Sequence, residues 1–443
     1  MLTSALVIKV EQVSRQTAAA YLRRCLPPRP GDAWEQILKS LETSTPPSGS
    51  LAALAGICTT PLGLWLVRTV YVGRRADVSE LLNQDAFPHE AALRAHLFDH
   101  LIEALIEARK PSADPAELFR PRRRHDPILV RKWLSYLAHL MNQPRDESAP
   151  TRDFAWWHLA RITGLTTTPI RIVMGLGLGL GLGLFFGGLF WIPVGSTIET
   201  VSLFGSGFML GFSIGAVTWD IDEWLREDPG FMELRVPSRG PSIGQRSTGG
   251  HRSARARGVI VIALSTAALM APLVDEFGWL EGIVLGLLGL FAIVAFVFLK
   301  GMESPASANS ATTPRSGWRA NRALNIFWFV IFGVAGAVAE VLAIGLKIRA
   351  FTGELIAFGL IVFPVFGLLM GPMFAGHRAW LAYLAATYRL AYLGRLPRNL
   401  MPFLDDVHRL GLLRAVGPIY QFRHAELQDH LATVYEREYL KRK

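Results

Sequence analysis

The sequence predicts a mainly α, polytopic membrane protein with six spans, an N-terminal soluble helical domain and a C-terminal winged-helix unit. Three observations predict it. First, six apolar stretches run Ile172–Ile192, Thr200–Trp219, Gly258–Val274, Gly282–Leu299, Ala323–Leu346 and Leu355–Gly376. Each is about 17–24 residues long, enough for a helix to cross roughly 30 Å of hydrocarbon. Only the fifth holds an ionisable residue, Glu340. Second, charged residues make up 19% of the 443 positions, against about 25% in ordinary soluble domains. They are concentrated in residues 1–164 and 377–443 and in the loops between. Third, the loops alternate in sign. Pro237–Arg257 carries five arginines and no acid, and Lys300–Arg322 carries four cations against Glu303. Pro193–Glu199 and Asp275–Glu281 carry only acids, and Lys347–Glu354 is near balance. Arginine-rich loops stay on the cytoplasmic side. This places the chain in the cell membrane as a multi-pass protein with both termini cytoplasmic. A basic surface near anionic lipid also accounts for the net charge of +10 with no nucleic acid as a partner.

The elements follow in order. No signal peptide is expected at Met1–Val10, because it has no basic start and no cleavage-type segment. Leu6–Val10 is β-rich and reads as one strand. Ser14 is the predicted N-cap of a helix over Arg15–Leu26, stopped by Pro27 and Pro28. Asp32–Leu41 reads as a second short helix. Leu51–Tyr71 is apolar but interrupted by Gly56 and Pro61, which predicts two packed helices rather than a span. Pro88–Ala108 and Pro127–Met141 have helical apolar spacing, and Arg122–Arg124 reads as a solvated turn. Cys25 and Cys58 fit no metal spacing and read as two free thiols in a reducing compartment. Pro237–Gly258 and Ser304–Ser316 read as flexible loops, and Arg378–Leu393 as an amphipathic helix.

Gly175–Leu184 repeats Gly-Leu five times. On a helix this puts Gly175, Gly179, Gly183 and Gly187 on one face, where small residues let helices approach closely. No Gly-Lys-Ser/Thr follows, so it is not a nucleotide loop.

The C-terminal stretch is the most specific soluble signal. Asn399–Leu410 has an apolar face of Leu400, Phe403, Leu404 and Val407. Leu412–Val416 and Ile419–Phe422 flank a Gly417-Pro418 turn, and Ala425–Tyr439 closes the unit. Helix, hairpin, helix in that order is a small winged-helix arrangement.

That stretch, Leu396 to Ala432, resembles the winged-helix end of bacterial NACHT-type STAND NTPases in a membrane-spanning style. Val7–Arg23 is similar to the last strand of the nucleotide domain and the helix after it. Thr60–Tyr71 is similar to a helical-domain segment with an adenine-facing proline, and Arg131–His139 and Phe154–Trp157 also fit. The resemblance implies four regions: residues 1–26, a remnant of the nucleotide-binding domain; 27–165, a helical domain; 166–376, the six spans; and 377–443, the winged helix. It also implies that Pro61 faces an adenine ring, that His424 lies near the β-phosphate of ADP, and that Arg423 supports that contact. Read from the residues alone, Pro61 is a helix-breaking proline at a packed bend and His424 a structural histidine.

The chain departs from the family in one large respect. No G-x-x-x-x-G-K-[ST] loop occurs in it, and catalysis in this family needs that loop for phosphate and Mg²⁺, with an acidic strand end for the metal that is also missing. The resemblance therefore implies a C-terminal portion that does not hydrolyse ATP by itself. It has no intrinsic cofactor, and ATP or ADP would be held only where a separate NTPase half is supplied. The expected partners are the bilayer, that half, and further copies of the chain. The implied role is regulatory, in signal transduction and defence.

The competing expectations are a six-span transporter or channel with cytoplasmic extensions, and a passive membrane scaffold. Glu340, about a turn and a half inside the fifth span's outer end, is the residue a transporter would use. The bland expectation is that it snorkels outward or is hydrogen-bonded in the bundle. His96 and His100 have a zinc-compatible i, i+4 spacing, but without a third ligand they read as a solvated helix face. Asp405 and Asp406 read as exposed charges.

Overall fold

A computed structural model describes residues 11–43, 48–74, 76–83, 85–143, 152–163, 172, 175–183, 197–213, 229–232, 295–296, 298–300, 303–305, 313–374 and 377–440. They are mainly helical and divide into two compact units. The expected strand Leu6–Val10 and the third span, Gly258–Val274, lie outside the described residues, as does most of the fourth.

The first unit takes the described residues up to Phe154, Thr387–Val416, and those from Tyr420 onward. Its helix α1 (Arg15–Cys25) starts where Ser14 Oγ accepts the Thr17 N–H at 3.1 Å. This supplies one of the donors a helix start leaves unpaired. Ala18, Ala19 and Leu22 are buried, as are Ile37, Leu38 and Leu41 on α2 (Asp32–Glu42), against which α1 packs. The apolar run from Leu51 breaks as expected into α3 (Gly49–Ile57) and α4 (Pro61–Val67). Proline at the first helical position has no N–H to lose there, and Thr60 Oγ1 accepts the Gly63 N–H at 3.1 Å. One π turn, Arg68–Val72, extends α4.

The central helix is α5 (Glu90–Ala108), with Leu93, Leu97, Leu101 and Leu105 buried at four-residue spacing. It packs on α3, α4 and α6 (Pro127–Asn142). Two further helices, α7 (Leu159–Ile162) and α8 (Thr197–Ser213), follow the strand β1 (Asp153–Phe154) in sequence.

The C-terminal part has the expected helix–hairpin–helix order. Helix α12 (Leu400–Arg409) buries Leu400, Phe403, Leu404 and Val407, and packs on β4 (Leu413–Val416) of the hairpin with β5 (Ile419–Phe422). Gly417 turns the hairpin at φ +55°, a conformation glycine adopts without a Cβ penalty. Helix α13 (Ala425–Tyr435) follows and lies against α6, where the Tyr435 ring meets Tyr136 and His139 at centroid separations of 5.4 and 4.9 Å. The sheet has a third strand that the sequence did not predict. The two residues of β1 pair antiparallel with β5, in the register Asp153↔Gln421 and Phe154↔Tyr420.

The second unit takes Ala155–Ala386 with Gly417–Ile419. Its longest element is α9 (Pro314–Ile348), which turns through Arg349 at φ +52° into α10 (Gly353–Phe374). The expected loop over Ser304–Ser316 is overturned at both ends. Residues Glu303–Pro305 form β3, antiparallel to β2 (Gly230–Met232), and α9 begins at Pro314. The start is fixed by chemistry that the Ser/Pro-rich composition conceals. Thr313 Oγ1 accepts the Ser316 N–H at 3.2 Å, and Pro314 occupies the first helical position.

Buried Asn321 ties this unit together. Its Nδ2 donates to the carbonyls of Gly230 and His377 at 3.0 and 3.2 Å, and its Oδ1 accepts the Trp380 N–H at 2.9 Å. That joins α9 to β2 and to α11 (Ala379–Tyr392).

The glycine stripe packs as its spacing predicts. A Cβ at Gly175, Gly179 or Gly183 would meet Phe212, Phe208 and Phe204 of α8 at 2.8–3.2 Å. The descending numbers show helical residues 175–183 running antiparallel to α8. Gly187 lies outside the described residues.

Among the described residues one helix, Pro314–Leu346, is long and apolar enough to cross a membrane, its apolar stretch of 18 residues having a mean hydropathy of 2.3. Ile326, Val330, Val334 and Val338 form an exposed line along it at four-residue spacing, and Ile356, Leu360 and Leu368 do the same on α10.

Candidate functional site

The three residues assigned to nucleotide by resemblance all lie in the first unit. Pro61 opens α4 and is exposed. One turn on, the half-buried Trp65 presents its indole to His424, with ring centroids 5.3 Å apart and planes tilted 37°. The histidine caps the start of α13 in extended backbone, and its carbonyl accepts the Gln428 N–H at 3.3 Å. Burial, with Arg423 next, holds its imidazole pKa below the ordinary value. Both effects favour the neutral imidazole over the charged one. Helix α4 and His424 are thus brought together by the packing of the C-terminal unit. Trp65, which makes the contact, was not singled out in the sequence. Its i+4 spacing from Pro61 is the only signal that could have found it.

Arg423 goes elsewhere. Its backbone N–H closes onto Leu412 O at 3.0 Å, and its side chain is exposed. A Cβ on Gly411 would stand 3.4 Å from Arg423 Nη1 and 3.5 Å from Arg109 Nη1. Two guanidiniums therefore approach one point, and Gly411, at φ +79°, leaves the room for both. Arg109 Nη1 donates to Arg409 O at 3.0 Å. Burial and then the Arg423 charge lower its pKa from the ordinary arginine value.

Asp406 is a correction. Rather than standing exposed, it is 2% accessible, and both its carboxylate oxygens are used. Oδ2 meets His125 Nε2 at 2.8 Å, and Oδ1 accepts the Arg122 N–H at 2.7 Å. The acid on α12 thereby fixes the loop before α6. The sequence gives no sign of a partner so far along the chain.

His96 is likewise not on a solvated face. It is half-buried between the Tyr71 hydroxyl at 3.1 Å, Glu80 at 3.2 Å and the Phe87 ring. Burial dominates, and its pKa is lowered. Among the described residues no three His, Cys, Asp or Glu side chains converge as a metal site requires. Cys25 and Cys58 are free thiols, and burial pushes Cys58 up to about 12. Glu340 does not snorkel. It is fully buried, and among the described residues neither carboxylate oxygen has a hydrogen-bond partner.

No protein-family model, curated protein or solved structure matches this chain.

Proposed function

We propose that this chain is the membrane-anchored regulatory part of a NACHT-type STAND signalling NTPase. On this reading it has six spans, both termini in the cytoplasm, and a C-terminal winged helix that switches with bound nucleotide. The observation that supports it best is the meeting of α4 and His424 through Trp65 at 5.3 Å. The two stretches that carry the family resemblance lie far apart in sequence, and packing sets them side by side. A nucleotide supplied with a separate P-loop half would then lie against Pro61 with its phosphates toward His424. Release of α13 from α6 would free the surface for self-association, the mode by which such a regulator would act in defence. The membrane part rests on the exposed apolar lines of α9 and α10, which water would disfavour and lipid accepts.

The test adds ADP or ATP to the full chain in detergent, with and without a co-expressed P-loop nucleotide-binding half, and follows oligomer size. Nucleotide-dependent assembly only with that half, weakened by His424→Ala, is expected. Assembly indifferent to nucleotide leaves the scaffold reading. A chain that hydrolyses ATP unaided, with turnover lost in His424→Ala, overturns the regulatory reading.

One observation favours a second reading, a transporter or channel. Glu340 is a buried carboxylate on an apolar helix, and such groups mark ion or proton paths. Proton or cation flux in liposomes carrying the chain, abolished by Glu340→Gln, would establish it, and flux indistinguishable from empty liposomes would remove it.

A further inference from the structure

A cleft of about 470 Å³ opens in the first unit between the end of α5, the loop of residues 109–126 and the end of α12. It shares no residue with the Pro61–His424 contact. Four cations line it: Arg109, Lys110, Arg123 and Arg124. The acid at its wall, Glu107, is already taken, with Oε2 at 2.7 Å from Arg74 Nε. Among the described residues none of the four cations forms an ion pair. Arg423 adds a fifth positive charge beside Arg109 over Gly411.

A solvated basic turn would spread its charges into water, where repulsion is weakest. Here Lys110, Arg123 and Arg124 are exposed along one cleft with Arg109, and the backbone that carries the two arginines is held. The loop is pinned at its neck, where the Ser112 N–H meets Pro121 O at 2.9 Å. It is pinned again by Asp406, which takes the Arg122 N–H and the His125 ring at 2.7 and 2.8 Å. Both contacts flank Arg123 and Arg124 in sequence. Arg109 is half-buried and oriented by Arg409 O at 3.0 Å. Pro111, Pro121 and Pro127 stiffen the walls. Three guanidiniums lining one cleft, Arg109 oriented and Arg123 and Arg124 carried on pinned backbone, favour a phosphate by charge-assisted, often bidentate, hydrogen bonds. The volume suits a small molecule rather than a nucleic-acid duplex.

We propose that this cleft binds a ligand carrying two or more clustered phosphates, held by Arg109, Lys110, Arg123 and Arg124. Because the anchoring acid sits on α12, binding would tie the 109–126 loop to the C-terminal unit. A soluble polyphosphate and a phosphorylated lipid headgroup offer the same chemistry. The proposal does not depend on a nucleotide-binding half.

The experiment is calorimetric titration of the full chain in detergent with two probes, inositol hexakisphosphate and a short-chain phosphatidylinositol bisphosphate. Saturable binding of either is expected. It should weaken about tenfold or more in the Arg123→Gln/Arg124→Gln variant, since each guanidinium–phosphate bond lost is worth roughly a decade. Both side chains are exposed, so this variant keeps the fold. Arg120→Gln, which loses only the neighbouring pair with Glu117, should bind as wild type does. Stronger binding of the first probe identifies a soluble ligand, and stronger binding of the second a lipid. No binding of either, equal binding by the double variant, or equal weakening by Arg120→Gln each overturns the proposal.

Discussion

At the scale of single residues, Asp406 shows how one buried acid organises chain that is distant in sequence. Its two oxygens satisfy the Arg122 N–H and the His125 ring, and Phe403 on the same helix sets its ring edge-on to both His125 and Trp133. Replacing Asp406 with alanine strands a backbone donor and a histidine in partly buried surroundings, and each such loss is costly. The Asp406→Ala chain should lose about 2–4 kcal/mol of stability in the first unit and the exchange protection of the Arg122 amide. Asp405→Ala, which removes a side chain paired 3.5 Å from Arg409 within its own helix, should cost less. Amide hydrogen exchange on both variants checks this, and unchanged protection in Asp406→Ala would refute the role given to it. Local chemistry of this kind is legible in sequence only when both partners are close in the chain. The Ser14 cap was read correctly because it bonds three residues on. Asp406, His96 and Trp65 were not, because their partners arrive through folding. Pro61 and His424 were picked by resemblance, and only the packing reveals that a tryptophan connects them.

At the scale of elements, close helix contact is built from glycine facing phenylalanine. Helices α9 and α10 exchange these reciprocally. A Cβ on Gly333 would stand 2.7 Å from Phe363 O, and one on Gly367 would stand 2.6 Å from Phe329 O, with the partner rings at 2.8 Å in each case. The same device joins residues 175–183 to α8, where Phe204, Phe208 and Phe212 stack along the glycine stripe. Gly333→Leu and Gly367→Leu should each force the hairpin apart, at about 1–3 kcal/mol for overpacking. Gly353→Leu should be tolerated, because nothing lies within 4 Å of its added Cβ. Thermal unfolding of the three variants beside wild type decides it, and equal midpoints for Gly333→Leu and Gly353→Leu would refute the contact. The glycine stripe was visible beforehand because its four-residue period is a property of one helix. The reciprocal pair was not, because the rings that face Gly333 and Gly367 lie on the other helix and arrive only through folding. The C-terminal helices and hairpin were readable from their apolar spacing and the Gly417 turn. Strand β1 was not, since two residues carry no alternation.

At the scale of the whole molecule, the two units have opposite surface chemistry. The first buries a helical core and exposes its large apolar side chains at scattered places such as Phe119, Ile128 and Tyr392. In the second, α9 and α10 turn valine, isoleucine and leucine outward in lines. Outward apolar lines of this kind favour a non-aqueous neighbour, and Pro314–Leu346 has the length to span a bilayer. Arginine-rich loops fall at alternate intervals between the six apolar stretches, and on the proposed six-span reading both ends would lie on the arginine side. The expected result is that the full chain stays with membranes through an alkaline wash. Epitope tags at its two ends should then be cleaved together by protease added to the cytoplasmic face of sealed vesicles, and spared together from the other face. Cleavage of one tag from each side would mean an odd number of crossings and would discard the six-span order. Release by the wash would mean that the apolar lines of α9 and α10 are covered by protein instead of lipid. Either result would remove the membrane anchor from the proposed function, while leaving the basic cleft, which lies wholly in the first unit, to stand or fall on its own titration.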